Sequence, residues 1–393
     1  MRKYVIRLSS FVFRYSLVET LHLYPYSLAL IFAFCLSAFC PTTGFSQKPV
    51  DLVYPQLDAA NSRWIFFSSA SRPFGMVNLS PDTELDGAWG SGYVYSTEEI
   101  KGFSHIHAWQ MAGISVMPVV SDKSINHIKR NYYSKFSHDT EVVAPGYHRV
   151  ILDKFGIEVE LTSTQRVGFH RYTYPEGTEP KIVINLSDNL GPSKMAKAFL
   201  KKVNSHELKG YVVNDRTRRR PHQVKVYFYI RLDGEILQMD GWRGLKSMKE
   251  VKRSKGMNPG AILTFTEESG SQILMKVGVS YVSIKQAKKN LDTELSDWDF
   301  DAVVTESKEE WNDLLSGIVI EGGSLEDRRR FYTDLWHSLL GRRIINDVDG
   351  RYADYTSGRK KRKKLPVDEN ADPVHNHYNS DSFWGAQWTL NTL

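Results

Sequence analysis

A long series of short apolar runs separated by turn-forming residues is the feature that most limits what this chain can fold into. From about residue 50 to 283, β-branched and aromatic residues recur between Gly, Pro, Asn and Asp. No helical pattern intervenes to make the crossovers that parallel strands need. The sequence therefore predicts an antiparallel β-sandwich over residues 47–283. Its candidate strands are 147–152, 157–164, 167–174, 181–186, 224–232, 261–266 and 272–282.

The pattern changes to helical spacing after residue 283. Ser324 followed by Asp327 resembles a capped helix start. Since 393 residues are long for one domain, we assign residues 284–342 to a helical linker and 343–393 to the start of a second domain. The predicted helices are 284–291, 300–315 and 325–340, and the last has one apolar face made of Phe331, Leu335, Trp336 and Leu339.

The first 46 residues are typical of an export signal. A basic start precedes residues 27–40, an uncharged run too short to span a bilayer comfortably, and cleavage is predicted near residues 44–47. The protein is thus expected to be exported to the periplasm, the cell surface or the medium. The long basic start leaves a retained signal anchor as the alternative, and only then is membrane contact expected. Both Cys35 and Cys40 lie in this run, so the mature chain would have no thiol for a disulfide, a nucleophile or a metal.

Two basic runs supply much of the net charge of +6. Residues 216–220 and 359–364 are each followed closely by Pro, which indicates exposed loops. Neither run has the helical or strand context of a nucleic-acid module. We therefore expect no nucleic-acid partner.

Four segments ahead of the main strands are dense in Gly, aromatic and polar residues. Loops of this composition let a backbone approach a ligand at Gly while rings and short polar groups face it, which suits a sugar. Ordinary turn chemistry is the alternative. The segments are RPFGMV (72–77), LSPDT (79–83), SGY (91–93) and GFSHIH (102–107).

The His105 and His107 pair would lie on one face of a strand, as some metal sites require. With no Cys and no third ligand fixed by spacing, hydrogen bonding to a sugar or to backbone is favoured over zinc. The pair at His375 and His377 repeats the pattern in a predicted loop.

Paired carboxylates are what glycoside hydrolysis needs. Asp347 and Asp349 are the nearest candidates, and Asp82 or Asp381 could face them. The same NDVDGR composition also suits a turn or a calcium ligand, so these alternatives stay open.

Taken in order, the quoted segments resemble the exo-acting, calcium-dependent, inverting α-mannosidases of glycoside hydrolase family 92. The four segments ahead of the strands resemble the opening of that family. The resemblance continues through FSH (136–138), APGY (144–147) and VGFHRY (167–172), then FYT (331–333) and DVDGRY (347–352). It covers nearly everything after the signal.

The resemblance implies a sandwich packed on an (α/α)6 barrel, with residues 343–393 as the truncated start of the barrel. It implies release of terminal α-linked mannose, with α-1,2 as the expected linkage, from mannose-containing glycans. The general acid Glu, the general base Asp and most calcium ligands are expected beyond Leu393, so no catalytic or metal-binding residue is assigned here. The expected substrate-binding residues are Arg72, Phe74, Gly75, Trp89, His105, His107, Trp384 and Asp381.

Two departures from the family pattern affect the expected sugar contacts. Bulky residues occupy 108–113 where the family usually has small ones, and Trp384 is followed by Gly-Ala where many members have Asp-Thr. Asp381 could replace the missing carboxylate. Because residues 381–393 are aromatic and apolar without a polar tail, we expect this chain to be an inactive N-terminal fragment. The alternative is a non-catalytic carbohydrate-binding sandwich.

Overall fold

A computed structural model of the chain describes residues 4–7, 47–60, 69–86, 92–108, 111–187, 189–218, 220–266 and 272–380. Most of the predicted export signal, residues 8–46, therefore lies outside the described residues. In the part described, strands and helices are numbered in chain order. The helices are α1 (Pro49–Leu52), α2 (Ile125–Ile128), α3 (Ile284–Glu294), α4 (Phe300–Leu315) and α5 (Leu325–Leu340). None of these helices is both long and apolar enough to cross a membrane.

Two antiparallel sheets form the body of the protein, as the strand pattern predicted. The larger sheet has nine strands, in the spatial order β17 (Arg253–Gly256), β12 (Met195–Lys202), β13 (Glu207–Asn214), β14 (Val224–Leu232), β19 (Gln272–Ser280), β10 (Val167–Thr173), β9 (Ile157–Ser163), β8 (Tyr147–Leu152) and β7 (Val142–Ala144). The smaller has seven, in the order β16 (Lys246–Met248), β15 (Ile236–Arg243), β18 (Pro259–Phe265), β11 (Pro180–Asn185), β5 (Met111–Val120), β4 (Gly102–Ala108) and β2 (Ser80–Asp82).

Four two-stranded ribbons accompany the sheets. Three are antiparallel and one, β1 with β20, is parallel. They are β3 (Glu99–Ile100) with β6 (Ser134–Lys135), β21 (Arg342–Ile344) with β24 (Tyr378–Ser380), β22 (Arg351–Asp354) with β23 (Lys361–Lys364), and β1 (Tyr4–Arg7) with β20 (Ile318–Glu321).

The core fills the space between the two sheets because each strand buries alternate residues. In β14, Val226, Phe228 and Ile230 are fully buried and belong to the same apolar cluster as Ile182 and Leu263 of the seven-stranded sheet. Each such side chain contributes about 1.5 to 3 kcal/mol through burial. The predicted strands 147–152 and 224–232 coincide with β8 and β14, and the others differ only near their ends.

The three long helices begin where capping residues occur. Ser283 and Asp299 each accept a backbone hydrogen bond at the start of α3 and α4, and Ser324 with Asp327 forms a full capping box at α5. Helix α3 lies against the nine-stranded sheet at Gly278, where a Cβ would be 2.4 Å from the Ala287 carbonyl oxygen. The helices therefore cover part of one outer sheet face.

Three segments predicted as loops contain strands, and the shortest of these strands is β2, residues 80–82 of the LSPDT segment. Residues 102–107 form most of β4, which pairs with β5 and β2. The second basic run contributes β23, whose four residues are exposed and pair with β22. All three segments bond their backbone groups to a neighbouring strand, so their Gly-rich, polar or basic composition was not a reliable sign of a loop. The described residues of the predicted barrel start, 343–380, contain short strands and turns, and the barrel itself stays a prediction.

Candidate functional site

The segment from residue 69 to 78 carries three predicted sugar-binding residues and is held by Arg72. The Arg72 guanidinium bonds to Glu310 at 2.7 Å and Glu306 at 3.0 Å, both on α4, and donates to the Ser163 carbonyl at 2.9 Å. Only 8% of Arg72 is exposed. A weaker bond at 3.5 Å reaches the Val303 carbonyl, also on α4, so Arg72 connects the segment to the sandwich and to α4.

Phe74, which is partly buried, lies in the same segment in a left-handed conformation. Its φ of 57° is uncommon for an aromatic residue, and such strain often occurs at functional sites. The Phe74 carbonyl accepts a hydrogen bond from the Ile344 amide at 2.8 Å. Its ring packs edge-on against Tyr378, with 5.7 Å between ring centroids. Gly75 follows, and its amide bonds to the Arg72 carbonyl at 3.0 Å.

Tyr378 was not singled out from the sequence, and it is 52% exposed. It lies in β24, three positions before Asp381. With Phe74 it forms an aromatic pair that is partly open to solvent. A sugar ring needs such an accessible aromatic surface to pack against. The only signal that could have identified it is its nearness in sequence to the predicted Asp381 and Trp384. Those two residues and Trp89 lie outside the described residues.

His105 is fully buried between the two sheets. Its Nδ1 donates to the Ile114 carbonyl at 2.6 Å, and its Nε2 accepts from His170 Nε2 of β10 at 2.8 Å. The Tyr172 hydroxyl donates to His170 Nδ1 at 2.9 Å. Burial lowers the pKa of His105 to about 4 and that of His170 well below its usual value, so both rings are neutral. Gly168 makes room for His105, since a Cβ there would be 2.7 Å from the ring.

His107 lies on the same face of β4, as its spacing from His105 predicted, and is bound to Asp82. Its Nε2 is 2.7 Å from Asp82 Oδ1, and its Nδ1 donates to the Asn78 carbonyl at 2.6 Å. The Ser104 hydroxyl donates to the other Asp82 oxygen at 2.5 Å. Gly92, with φ 77°, passes close enough that a Cβ would lie 2.3 Å from Asp82 Oδ1. Both histidines thus bond to backbone carbonyls, one of the two alternatives that the sequence left open.

Asp347 and Asp349 attach the loop after β21 to helix α3. Asp347 accepts hydrogen bonds from Asn290 at 2.9 Å and Ser280 at 3.0 Å. Asp349 accepts from Gln286 at 3.0 Å and Lys289 at 3.1 Å. Asp82, held by His107 and Ser104, shares no hydrogen-bond partner with either. The structure therefore does not bring Asp82 together with these two carboxylates as an acid and base pair.

We expect Asp347→Asn to stabilise the protein at pH 8. Burial raises the pKa of Asp347 to about 7, although hydrogen bonds from Asn290 and Ser280 oppose the shift. Between about pH 4 and 7, Asp347 is protonated in the native state and ionised in the unfolded state. The free energy of unfolding therefore falls as pH rises through that window. The neutral amide removes that cost, about 4 kcal/mol at pH 8 and close to zero at pH 4. Urea unfolding at both pH values measures it.

Asp349→Asn is the matched control, with the opposite sign. Burial alone would raise the pKa of Asp349, but hydrogen bonds from Gln286 and Lys289 outweigh it and hold the pKa below its usual value. This carboxylate therefore adds stability at neutral pH, which is lost as pH falls through its pKa. Asp349→Asn should destabilise the protein at pH 8. An equal loss of stability for both variants at pH 8 would contradict the burial argument.

The residues described do not fit a calcium site. No three His, Cys, Asp or Glu side chains converge within the described ranges. The carboxylates of Asp82, Asp347 and Asp349 are each occupied by donors from the protein. No step of a mechanism is therefore derived through calcium from this part of the chain.

Comparison with known proteins gives two consecutive family matches. The model of the glycosyl hydrolase family 92 N-terminal domain matches residues 52–280, and that of the family 92 catalytic domain matches residues 286–393. Among curated proteins, an uncharacterized secreted glycosidase of Arthroderma benhamiae is 24% identical over 310 residues, which is 70% of this chain and 39% of that protein.

Two solved structures from Bacteroides thetaiotaomicron share the fold. The family GH92 α-mannosidase BT3965 aligns with a TM-score of 0.76 and 23% identity over 87% of this chain and 46% of its own. The inverting mannosidase BT2199 aligns with a TM-score of 0.74 and 21% identity over 87% and 45%. At these identities the likeness shows the fold. The chain spans less than half the length of the relatives it matches.

Proposed function

The chain belongs to glycosyl hydrolase family 92, and on that basis we propose that it is the sandwich-bearing part of an exported enzyme that releases terminal α-linked mannose from glycans. The observation that carries the proposal is the pair of family matches, which follow each other in order from residue 52 to 393. Two relatives with this fold are described as mannosidases, and BT3965 has been solved with mannoimidazole. The linkage we propose is α-1,2.

The mechanism we propose is a single displacement with inversion. A protonated Glu gives its proton to the leaving oxygen while a carboxylate activates water on the opposite face of the sugar, with the two carboxyls about 6.5 to 9.5 Å apart. We propose that both groups, and most ligands of an assisting calcium ion, lie outside residues 1–393. Within this chain, Arg72 fixes the segment that presents Phe74, and the Phe74 and Tyr378 rings offer a surface to the sugar.

We expect residues 1–393 alone to release no mannose from α-1,2-mannobiose. A longer product that carries the acid and the base should release mannose initially as the β anomer, which proton NMR detects before mutarotation. A calcium chelator should stop this release. In that product, Tyr378→Ala should raise KM about tenfold, since an aromatic contact with a ring contributes about 1 kcal/mol or more.

Leu245→Ala is the control for loss of exposed apolar surface, because Leu245 is 89% exposed and lies in the turn between β15 and β16. It should leave KM unchanged. Mannose release by residues 1–393 alone would refute the assignment of acid and base. A longer product that binds mannobiose without cleaving it in the presence of calcium would instead establish a carbohydrate-binding module.

A further inference from the structure

A concave pocket of about 620 Å³ lies between the first turn of α3 and the β22–β23 ribbon. Six of its lining residues are cationic and one is acidic, an imbalance that the family assignment does not account for. The charged side chains around the pocket include Lys285, Lys289, Asp349, Arg351, Arg362 and Lys364. The basic run 359–364, which the sequence analysis assigned to a solvated loop, thus forms one wall of a cavity.

Among the residues that the structure describes, half of the six cationic side chains have no acidic partner. Asp349 pairs with Lys289 at 3.1 Å and also with Arg351, and Asp354 pairs with Lys363 at 2.6 Å. Within the described part of the chain, no carboxylate lies within 4.0 Å of the three remaining cations, Lys285, Arg362 and Lys364. The pocket therefore carries positive charge that its own residues do not neutralise.

The ribbon holds these charges in fixed positions. Arg351 pairs directly with Lys364 across the two strands, and Ala353 pairs with Arg362, so Arg362 and Lys364 occupy alternate positions on one face of β23. Like charges opposite each other destabilise a ribbon. Lys360 fastens the ribbon to the sandwich by donating to the carbonyls of Tyr281 at 2.7 Å and Val282 at 3.1 Å. The arrangement retains a repulsion that an anion in the pocket would relieve.

We propose that this pocket binds a tetrahedral oxyanion, a phosphate or a sulfate group. Guanidinium and ammonium groups around a cavity match the oxygens of such a group and form charge-assisted hydrogen bonds with them. The oxyanion can come from free phosphate or from a sulfated sugar, and both share this chemistry. The inference is independent of the proposed mannosidase activity, since it uses none of the residues assigned to sugar binding.

The test is calorimetric titration of the full chain at low salt with two probes, inorganic phosphate and a heparin-derived sulfated tetrasaccharide. The triple variant Lys285→Gln, Arg362→Gln and Lys364→Gln should weaken binding about tenfold or more, because each charged hydrogen bond contributes substantially. These three residues are exposed, so the variant should keep its fold, as its melting temperature will show. Asp349→Asn, which removes the acidic lining residue, should tighten binding about threefold.

The matched control is Lys246→Gln, Lys249→Gln and Lys252→Gln, which removes the same charge from exposed positions in and after β16. It should change affinity by less than about twofold. Tighter binding of the tetrasaccharide would identify a sulfated sugar as the source of the oxyanion. Tighter binding of inorganic phosphate would identify the free ion as the ligand. The proposal is overturned if the wild-type chain binds neither probe, or if the control variant loses as much affinity as the pocket variant. Duplex DNA that binds more tightly than both probes, and depends on the same three residues, would overturn it in favour of a nucleic-acid surface.

Discussion

Replacing Trp311 with Ala is expected to lower the free energy of unfolding by about 4 kcal/mol. Trp311 is fully buried in α4, beside Trp336 of α5 with 6.1 Å between ring centroids. Its Nε1 donates to the Ser71 carbonyl at 2.7 Å, so one side chain joins both helices to the segment that carries Arg72 and Phe74. Truncation leaves a large cavity and removes the hydrogen bond to the Ser71 carbonyl. Urea unfolding followed by far-ultraviolet circular dichroism measures the loss.

Two further variants separate packing from hydrogen bonding at this position. Trp311→Phe keeps most of the apolar volume but loses the hydrogen bond to Ser71. The lost hydrogen bond should lower the free energy of unfolding by about 1 to 2 kcal/mol, in addition to a packing loss smaller than that of Trp311→Ala. Leu325→Ala, at a residue of α5 that is 44% exposed, should change stability by less than about 0.5 kcal/mol. A loss below about 1 kcal/mol for Trp311→Ala would show that the two helices do not depend on this contact.

The second large effect is expected from His107→Leu, at about 3 to 5 kcal/mol. The substitution leaves the fully buried Asp82 carboxylate with the Ser104 hydroxyl as its remaining side-chain donor among the described residues. Removing one partner of a buried hydrogen-bonded pair leaves the other unsatisfied, which is costlier than replacing both partners. Asp82→Asn combined with His107→Leu should therefore recover roughly half of the loss, because no buried carboxyl group is left without its histidine partner. Unfolding free energies of the two single variants and the double variant test this.

A double variant that is less stable by the sum of the two single losses would contradict this explanation. It would mean that Asp82 and His107 contribute independently. Coupling is expected because their side chains are 2.7 Å apart and neither is exposed by more than 1%.

Local patterns predicted the elements of this fold well, and long-range contacts explain what the sequence could not show. The bounds of α4 and α5 were predicted correctly, since apolar spacing and the Ser324 capping box are local signals. The strand order in each sheet depends on pairings such as β14 with β19, which no local pattern encodes. The antiparallel sandwich was therefore predictable and its topology was not.

The candidate site also depends on long-range contacts that the sequence could not show. Arg72 was predicted to bind sugar, but its acidic partners lie 234 and 238 positions later in the sequence. The partner of His105 is His170, 65 positions away in the opposite sheet. Spacing placed the two histidines of β4 on one face but could not show that the face is internal. Their role in binding sugar stays a prediction.

Hydrogen bonds link Tyr172, His170 and His105 in a row, and all of these bonds must run in the same direction. Because the Ile114 carbonyl at its end can accept but never donate, His105 must carry its proton on Nδ1, and His170 must carry its own on Nε2. Two rings in contact are thus held in opposite tautomers, which nitrogen-15 chemical shifts would distinguish. All the O–H and N–H dipoles of the row point from the larger sheet towards β5 and reinforce one another. The interior of the sandwich consequently contains a fixed net dipole, although the row itself carries no net charge.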